Sequence, residues 1–159
     1  MRAKSNIAPQ RKTPYAGRMS DRPSGLPEGA EEVSVAAFSK YVGPVWRLPD
    51  SDGGAVKRFT FFVVEKHMNA AGSVHGGMLM TLADMAMGQT SRLASGAKSC
   101  ATVSLNCDFV GPGRLGEFIE ARVRVTRKSR TMVFLSAELV SADRIVLVAT
   151  GLWKIVFDA

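Results

Sequence analysis

The stretch HMNAAGSVHGGMLMTLAD, residues 67–84, determines how the rest of this 159-residue chain is interpreted. Its paired glycines, Gly76 and Gly77, begin a helix predicted over residues 75–93, so their N–H groups are among the unpaired donors of the first turn. A helix start carries partial positive charge, and glycine lets a ligand approach the backbone closely. The segment therefore predicts a site that can stabilise a carbonyl oxygen on which negative charge develops.

Asp84 is the only ionised residue of this predicted helix before Arg92. An unpaired carboxylate is costly to bury among apolar residues, so its position favours a chemical role. The structural alternative is a carboxylate paired with an Arg or an N–H group. Helical spacing places Asp84 on one small, polar stripe with Gly77, Thr81 and Gly88, which predicts one face in the core and one face in a site.

The remainder of the chain predicts strands. Alternation of apolar and polar residues marks four segments after the helix, at 101–110, 117–126, 131–140 and 144–157. Before it, residues 43–54 are typical of a strand and a loop, residues 57–65 of a strand, and residues 31–41 of a short helix. In the clearest strand the core face is expected to hold Val103, Leu105, Cys107 and Phe109, opposite Thr102, Ser104, Asn106 and Asp108.

One long helix among five or six antiparallel strands predicts an α+β domain whose sheet wraps around that helix. We expect this domain to occupy residues 31–159. Residues 1–30 are rich in Pro, Gly and Ser, carry six Lys or Arg against two acids, and are expected to form a flexible basic extension.

Composition limits the classes of partner. The net charge is +7, but +4 of it lies in residues 1–30, and no basic face interleaved with aromatic residues predicts nucleic-acid binding. No apolar run approaches the roughly 20 residues that span a bilayer, so no membrane partner is expected. Cys100 and Cys107 lie at opposite ends of one predicted strand, too far apart for a disulfide, which favours the reducing cytoplasm.

The motif of Asn69, Gly72, His75-Gly76-Gly77 and Asp84 resembles the signature of hotdog-fold thioesterases, in particular the PaaI-like branch that acts on acyl-CoA in phenylacetate degradation. The likeness continues through ATVSLNCDFVGPGRLGE, residues 101–117. It implies the hotdog fold, hydrolysis of acyl-CoA to a free acid and CoA, and no cofactor beyond the coenzyme A of the substrate. It also implies sites at a dimer interface, with dimers often paired into tetramers.

Each site residue has an expected role. The amides of Gly76 or Gly77 would polarise the thioester carbonyl, and Asp84 would act as general base on water or as nucleophile, two mechanisms that the sequence leaves open. The resemblance implies that Asn69 orients water or the carbonyl, although a turn residue is the alternative. His75 belongs to the site, where a structural role beside the helix start is favoured over direct catalysis.

The substrate is expected to contact further residues. Thr102 matches a hydroxyl-bearing strand position of the family, and Ser104 shares its predicted face. The basic turn Arg127-Lys128-Ser129-Arg130 is a candidate for the phosphates of CoA, with a solvated hairpin tip as the alternative. No metal is expected, because His67 and His75 lack a convincing third ligand.

Geometry predicts an oligomer. Asp84 lies seven residues, about 10 Å, along the helix from Gly77, and the amides at the helix start point away from it. A second subunit bringing its own Asp84 to the first subunit's glycines would resolve this, so a symmetric homo-oligomer is expected.

Two other functions compete with hydrolysis. A hotdog dehydratase or hydratase would use a different arrangement of His with Asp or Glu. A non-catalytic acyl-CoA sensor would keep the glycines and the basic turn but would not need Asp84.

Overall fold

A computed structural model describes residues 22–34 and 37–156 of the chain. In this part of the chain one antiparallel sheet of seven strands surrounds a twenty-residue helix. The strands are β1 (Glu31–Glu32), β2 (Val45–Ser51), β3 (Val56–Phe62), β4 (Ser99–Phe109), β5 (Phe118–Lys128), β6 (Met132–Ser141) and β7 (Arg144–Val156), in the order β1-β2-β3-β5-β6-β7-β4. The α-helices are α1 (Ala37–Val42) and α2 (Gly76–Ser95), and short 3₁₀ helices span Asp52–Gly54 and Glu65–His67.

The long helix α2 forms the centre of the domain. His75 caps its N-terminus, and Gly96 ends it with a φ of 69°, a conformation that favours glycine, while donating its N–H to the Arg92 oxygen. One face is buried against β3 to β7, and it consists of Met78, Leu79, Leu82, Ala83, Ala86 and Met87. Burial of each larger side chain contributes about 2 kcal/mol. This confirms the α+β arrangement with a sheet around one helix.

Two details differ from the sequence prediction. The helix expected over residues 31–41 is wrong in its first part, because Glu31 and Glu32 pair with Arg47 and Trp46 of β2. That pairing adds a short seventh strand to the expected five or six, and the helix of the described residues spans Ala37–Val42.

A bulge in β4 changes the orientation of its side chains. Thr102 pairs with Trp153 of β7 and Ser104 pairs with the preceding residue, Leu152, so Val103 is an extra residue in β4. Thr102 therefore faces the helix, as do the later residues Leu105 and Cys107, which contact the core. The predicted single alternation along this strand is wrong on this point, and Val103 is 53% exposed rather than buried.

The residues just before the domain also make contacts. Leu26 and Ala30 pack against Trp46 and Leu48 of β2. Arg22 donates to the backbone oxygens of Pro27 and Ala30, which folds residues 22–30 onto themselves. Residues 1–21, most of the predicted extension, lie outside the described part, and the boundary at residue 30 stays a prediction. No helix of the described residues has the length and apolar character needed to cross a bilayer.

Candidate active site

The start of α2 offers one free amide. The N–H of Gly77 donates to Nδ1 of His75 at 2.9 Å, and those of Met78 and Leu79 donate to the His75 oxygen. In the described part of the chain the Gly76 N–H has no partner. Of the two glycines predicted to polarise a carbonyl, Gly76 is therefore the one whose donor is available, in a helix start that favours negative charge.

His75 fixes this helix start. Its side chain caps the helix through Nδ1, and its own N–H donates to the His67 oxygen at 2.8 Å. Because Nδ1 accepts a bond, the proton of the neutral ring lies on Nε2. These contacts fit the structural role favoured for His75, and a direct part in catalysis stays a prediction.

Phe109 explains why the first helical residue has no side chain. A Cβ on Gly76 would lie 3.0 Å from Cε1 of Phe109, closer than ordinary packing permits. The ring is nevertheless 53% exposed, so it flanks the free amide rather than filling the core. The sequence predicted Phe109 only as a core residue and gave no signal of this contact.

Asn69 is engaged in its own loop. Its Oδ1 accepts from the N–H groups of Ala71 and Ser73 at 2.9 and 3.2 Å, and its Nδ2 donates to Ser73 Oγ at 2.9 Å. These are the contacts of the turn alternative. They leave the second N–H of the Asn69 amide without a partner among the described residues, so a role toward substrate stays a prediction.

Asp84 is held by a hydroxyl and not by a cation. Its Oδ1 accepts from Thr102 Oγ1 at 2.8 Å, and within the described residues neither an Arg nor a backbone N–H pairs with the carboxylate. Asp84 is half-buried, and its Oδ2 carries no partner in this part of the structure. A charged group fixed by one donor with one open oxygen is suited to accept a proton or to attack a carbonyl.

Cys107 lies near this carboxylate but is a poor nucleophile. Burial raises the pKa of the thiol, and the neighbouring charges of Asp108 and Asp84 raise it further. The thiolate is the reactive form, so the raised pKa keeps Cys107 protonated and unreactive at neutral pH.

The predicted residues do not form one cluster within a chain. Asp84 lies eight residues after Gly76, about 12 Å along the helix. Ser104 is on the face of β4 opposite Thr102 because of the bulge. Arg127, Lys128 and Arg130 are exposed.

The basic turn lies at the far end of α2. Lys128 Nζ donates to the Ala94 oxygen at 3.0 Å, and Ala94 is near the helix C-terminus. Eighteen residues separate Gly76 from Ala94, which is about 27 Å of helix. The glycines and the basic turn of one chain therefore cannot contact the same part of a substrate.

His67 is a neutral structural residue. Its Nδ1 accepts from the Val64 N–H at 3.1 Å, and its Nε2 then donates to the Val42 oxygen at 2.8 Å. The pKa of His67 is lowered to about 4, mainly because the ring is buried; the bond to the Val42 oxygen opposes this lowering, and the nearby charge of Lys66 adds to it. With both ring nitrogens engaged, His67 cannot bind a metal. Residues 22–34 and 37–156 hold no group of three His, Cys, Asp or Glu placed to do so.

Comparison with known proteins identifies the family. Residues 71–148 match the family model described as the Thioesterase superfamily. A Pseudomonas aeruginosa protein named putative esterase is 38% identical over 132 residues, which cover 82% of this chain and 97% of that protein. The chain belongs to the thioesterase superfamily. The membership predicted from Asn69, His75-Gly76-Gly77 and Asp84 is thereby confirmed.

Two further members of this superfamily are similar over most of their length. Human acyl-coenzyme A thioesterase 13 is 36% identical over 118 residues, 72% of this chain and 80% of that protein. A structure of a variant of the phenylacetic acid degradation protein PaaI from Thermus thermophilus superposes with a TM-score of 0.65 at 26% identity, covering 75% of this chain and 98% of that one. The hotdog fold and the PaaI-like character are therefore confirmed.

Proposed function

We propose that this protein hydrolyses acyl-CoA thioesters to a free acid and coenzyme A, without a metal or another cofactor. The observation that carries the proposal is the Asp84 carboxylate, oriented by Thr102 and open at its second oxygen, on the helix that begins with the free amide of Gly76. A donor for an oxyanion and a base or nucleophile are the two groups that thioester hydrolysis requires. The relatives named acyl-coenzyme A thioesterase 13 support the substrate class.

We propose that two subunits complete the site. β4 is an edge strand of eleven residues, most of them exposed, and a free edge with exposed apolar side chains invites pairing with another chain. Val103 and Phe109 of β4 and Leu93 of α2 are 53%, 53% and 47% exposed. Two-fold pairing at this edge would run the two α2 helices in opposite directions and bring the partner's Asp84 toward Gly76.

The proposed reaction begins with the thioester carbonyl on the Gly76 N–H. The partner's Asp84 takes a proton from water, the hydroxyl oxygen bonds to the carbonyl carbon, and the C–S bond then breaks to release CoA. If the carboxylate attacks instead, the C–S bond breaks to release CoA and an anhydride forms on Asp84. Water then attacks the Asp84 carbonyl carbon and releases the acid. A single turnover in ¹⁸O-water separates the two routes, because the first places the label on the acid and the second places it on Asp84.

We propose that the CoA moiety extends toward the second subunit. In an antiparallel dimer the partner's Arg127, Lys128 and Arg130 lie at the glycine end of this helix, where their exposed cations would bind phosphates. Asn69 would contribute its free N–H to the carbonyl. Thr102 would act on the site through Asp84, whereas Ser104, on the opposite face of β4, would not line the same path. Pairing of dimers into tetramers is part of the same proposal.

We also propose that the protein acts in the cytoplasm. Cys100 and Cys107 are both free thiols on one strand, which a reducing compartment maintains. Cell fractionation should recover the protein with a cytosolic marker, and recovery with an oxidising compartment would contradict this.

The test is thiol release from a panel of acyl-CoA esters with the wild-type chain and with Asp84→Asn. We expect turnover on at least one acyl class and a loss of 100-fold or more in the variant, the order typical of a removed acid–base group. Glu138→Gln is the matched control, because it removes an exposed carboxylate from β6, outside the proposed interface, and should keep wild-type activity. Binding of the esters with no hydrolysis would refute the proposal and favour an acyl-CoA sensor.

A further inference from the structure

A cavity of about 380 Å³ lies between α1 and the first two turns of α2. Most of its wall is apolar, and its lining includes Phe38, Tyr41, Val42, Gly77, Met78 and Thr81. Phe38 and Tyr41 are 62% and 76% exposed, and α1 buries none of its residues. Two neighbouring rings exposed to this extent over a concave surface are typical of a binding site.

The wall formed by α1 is anchored by hydrogen bonds. Lys66 Nζ donates to the oxygens of Tyr41 and Gly43 at 2.8 and 2.7 Å, and His67 Nε2 donates to the oxygen of Val42 at 2.8 Å. These bonds hold the three carbonyls at the end of α1, which lacks buried side chains of its own to fix it. The cavity is therefore preformed. The ammonium group of Lys66, which lies beside it, donates to backbone oxygens.

The cavity is continuous with the helix start. His75 and Gly77 both line it, and the residue between them in the chain, Gly76, carries the free N–H. We propose that this cavity binds the acyl group of the thioester, and that Phe38 and Tyr41 determine acyl specificity. The inference rests on the proposed hydrolysis, because it places the acyl chain on the side of Gly76 away from the CoA moiety.

The volume sets the size of the acyl group. At roughly 30 Å³ for each non-hydrogen group, the cavity accommodates about a dozen such groups. The substrates are thus apolar acyl groups of medium size, and catalytic efficiency should rise with chain length up to about ten to twelve carbons. Carbons beyond that length would extend into solvent and gain nothing.

The test compares acetyl-, hexanoyl-, decanoyl- and palmitoyl-CoA in wild type, Phe38→Ala and Tyr41→Ala. We expect each variant to lower kcat/KM for decanoyl-CoA relative to acetyl-CoA by about 10-fold, the effect of losing apolar contact in a specificity pocket. Turnover of acetyl-CoA should change less than about twofold. Phe134→Ala is the matched control, because it truncates an exposed ring of β6 that does not line the cavity.

The outcomes separate this inference from the proposed function. No hydrolysis of any ester by the wild type would overturn the function itself. Turnover with an unchanged ratio of decanoyl to acetyl efficiency would overturn the acyl subsite alone. Equal losses on all esters, together with a lower molar mass by light scattering, would show that Phe38 and Tyr41 contact a second subunit, and would also overturn it.

Discussion

Replacing Thr102 by Val should isolate the contribution of the hydrogen bond that orients Asp84. The change keeps the shape of the side chain but removes the hydroxyl that donates to Asp84 Oδ1 at 2.8 Å. A hydrogen bond to a charged group is worth about 1.5–3 kcal/mol. Because Thr102 is exposed and Asp84 only half-buried, the lower end applies, and about 1.5 kcal/mol corresponds to a roughly tenfold loss in kcat.

Steady-state thiol release from Thr102→Val, Thr102→Ser and wild type measures this effect. We expect KM to stay within about twofold, because Thr102 acts through Asp84, and Thr102→Ser to restore most of kcat because it retains the donor. Thr150→Val, an exposed hydroxyl on β7, is the control for a lost threonine. In an Asp84→Asn background the valine change should have almost no further effect. A second tenfold loss there would refute a positioning role.

Two other predictions concern His67 and Gly76. The pKa of His67 is about 4 in the folded chain against 6.5 when unfolded, so its stabilisation is complete above pH 6.5 and is lost as pH falls toward 4. The free energy of unfolding in urea should fall by up to about 3 kcal/mol over this pH range. In His67→Gln the free energy of unfolding should depend less on pH. An equal pH dependence in the variant would contradict the attribution to His67. Gly76→Ala should lower kcat about tenfold by pushing the helix start from Phe109. Adding Phe109→Leu should recover part of the rate, and no recovery would exclude crowding as the cause.

The sequence predicts most of the fold because its signals are local. The helix with the cap at His75 and the strands after it follow from periodicity and from the glycines at both helix ends. The short strand Glu31–Glu32 could not be predicted in this way. It forms by pairing with the distant strand β2, and two residues are too few to show an alternation. A six-residue helix without buried side chains is equally hard to delimit.

For the candidate site, residue types were easier to predict than their grouping. Asp84, His75 and Gly76 stand out by their chemistry in an apolar helix. The separation of about 12 Å along the helix between Gly76 and Asp84 follows from helical rise, and it is the reason for predicting a second subunit. The contact of Thr102 with Asp84 could not be derived from strict alternation, because one extra residue in β4 changes which side chains face the helix.

That extra residue, Val103, has a consequence for how the family's sequences can vary. At Val103 the alternation of side chains between the two faces of β4 is interrupted. Replacing a residue of this strand and removing one therefore have different effects on which side chains face the helix. Side-chain replacements at this exposed position should be nearly neutral for the stability of one chain, whereas polar ones should weaken the proposed pairing of two chains. Deleting Val103 would restore an uninterrupted register with β7 and leave Thr102, Leu105 and Cys107 facing the helix. In an alignment, a one-residue gap at this point would therefore mark proteins that lack the bulge but keep both faces of β4, whereas a gap further along the strand would turn the following side chains to the opposite face.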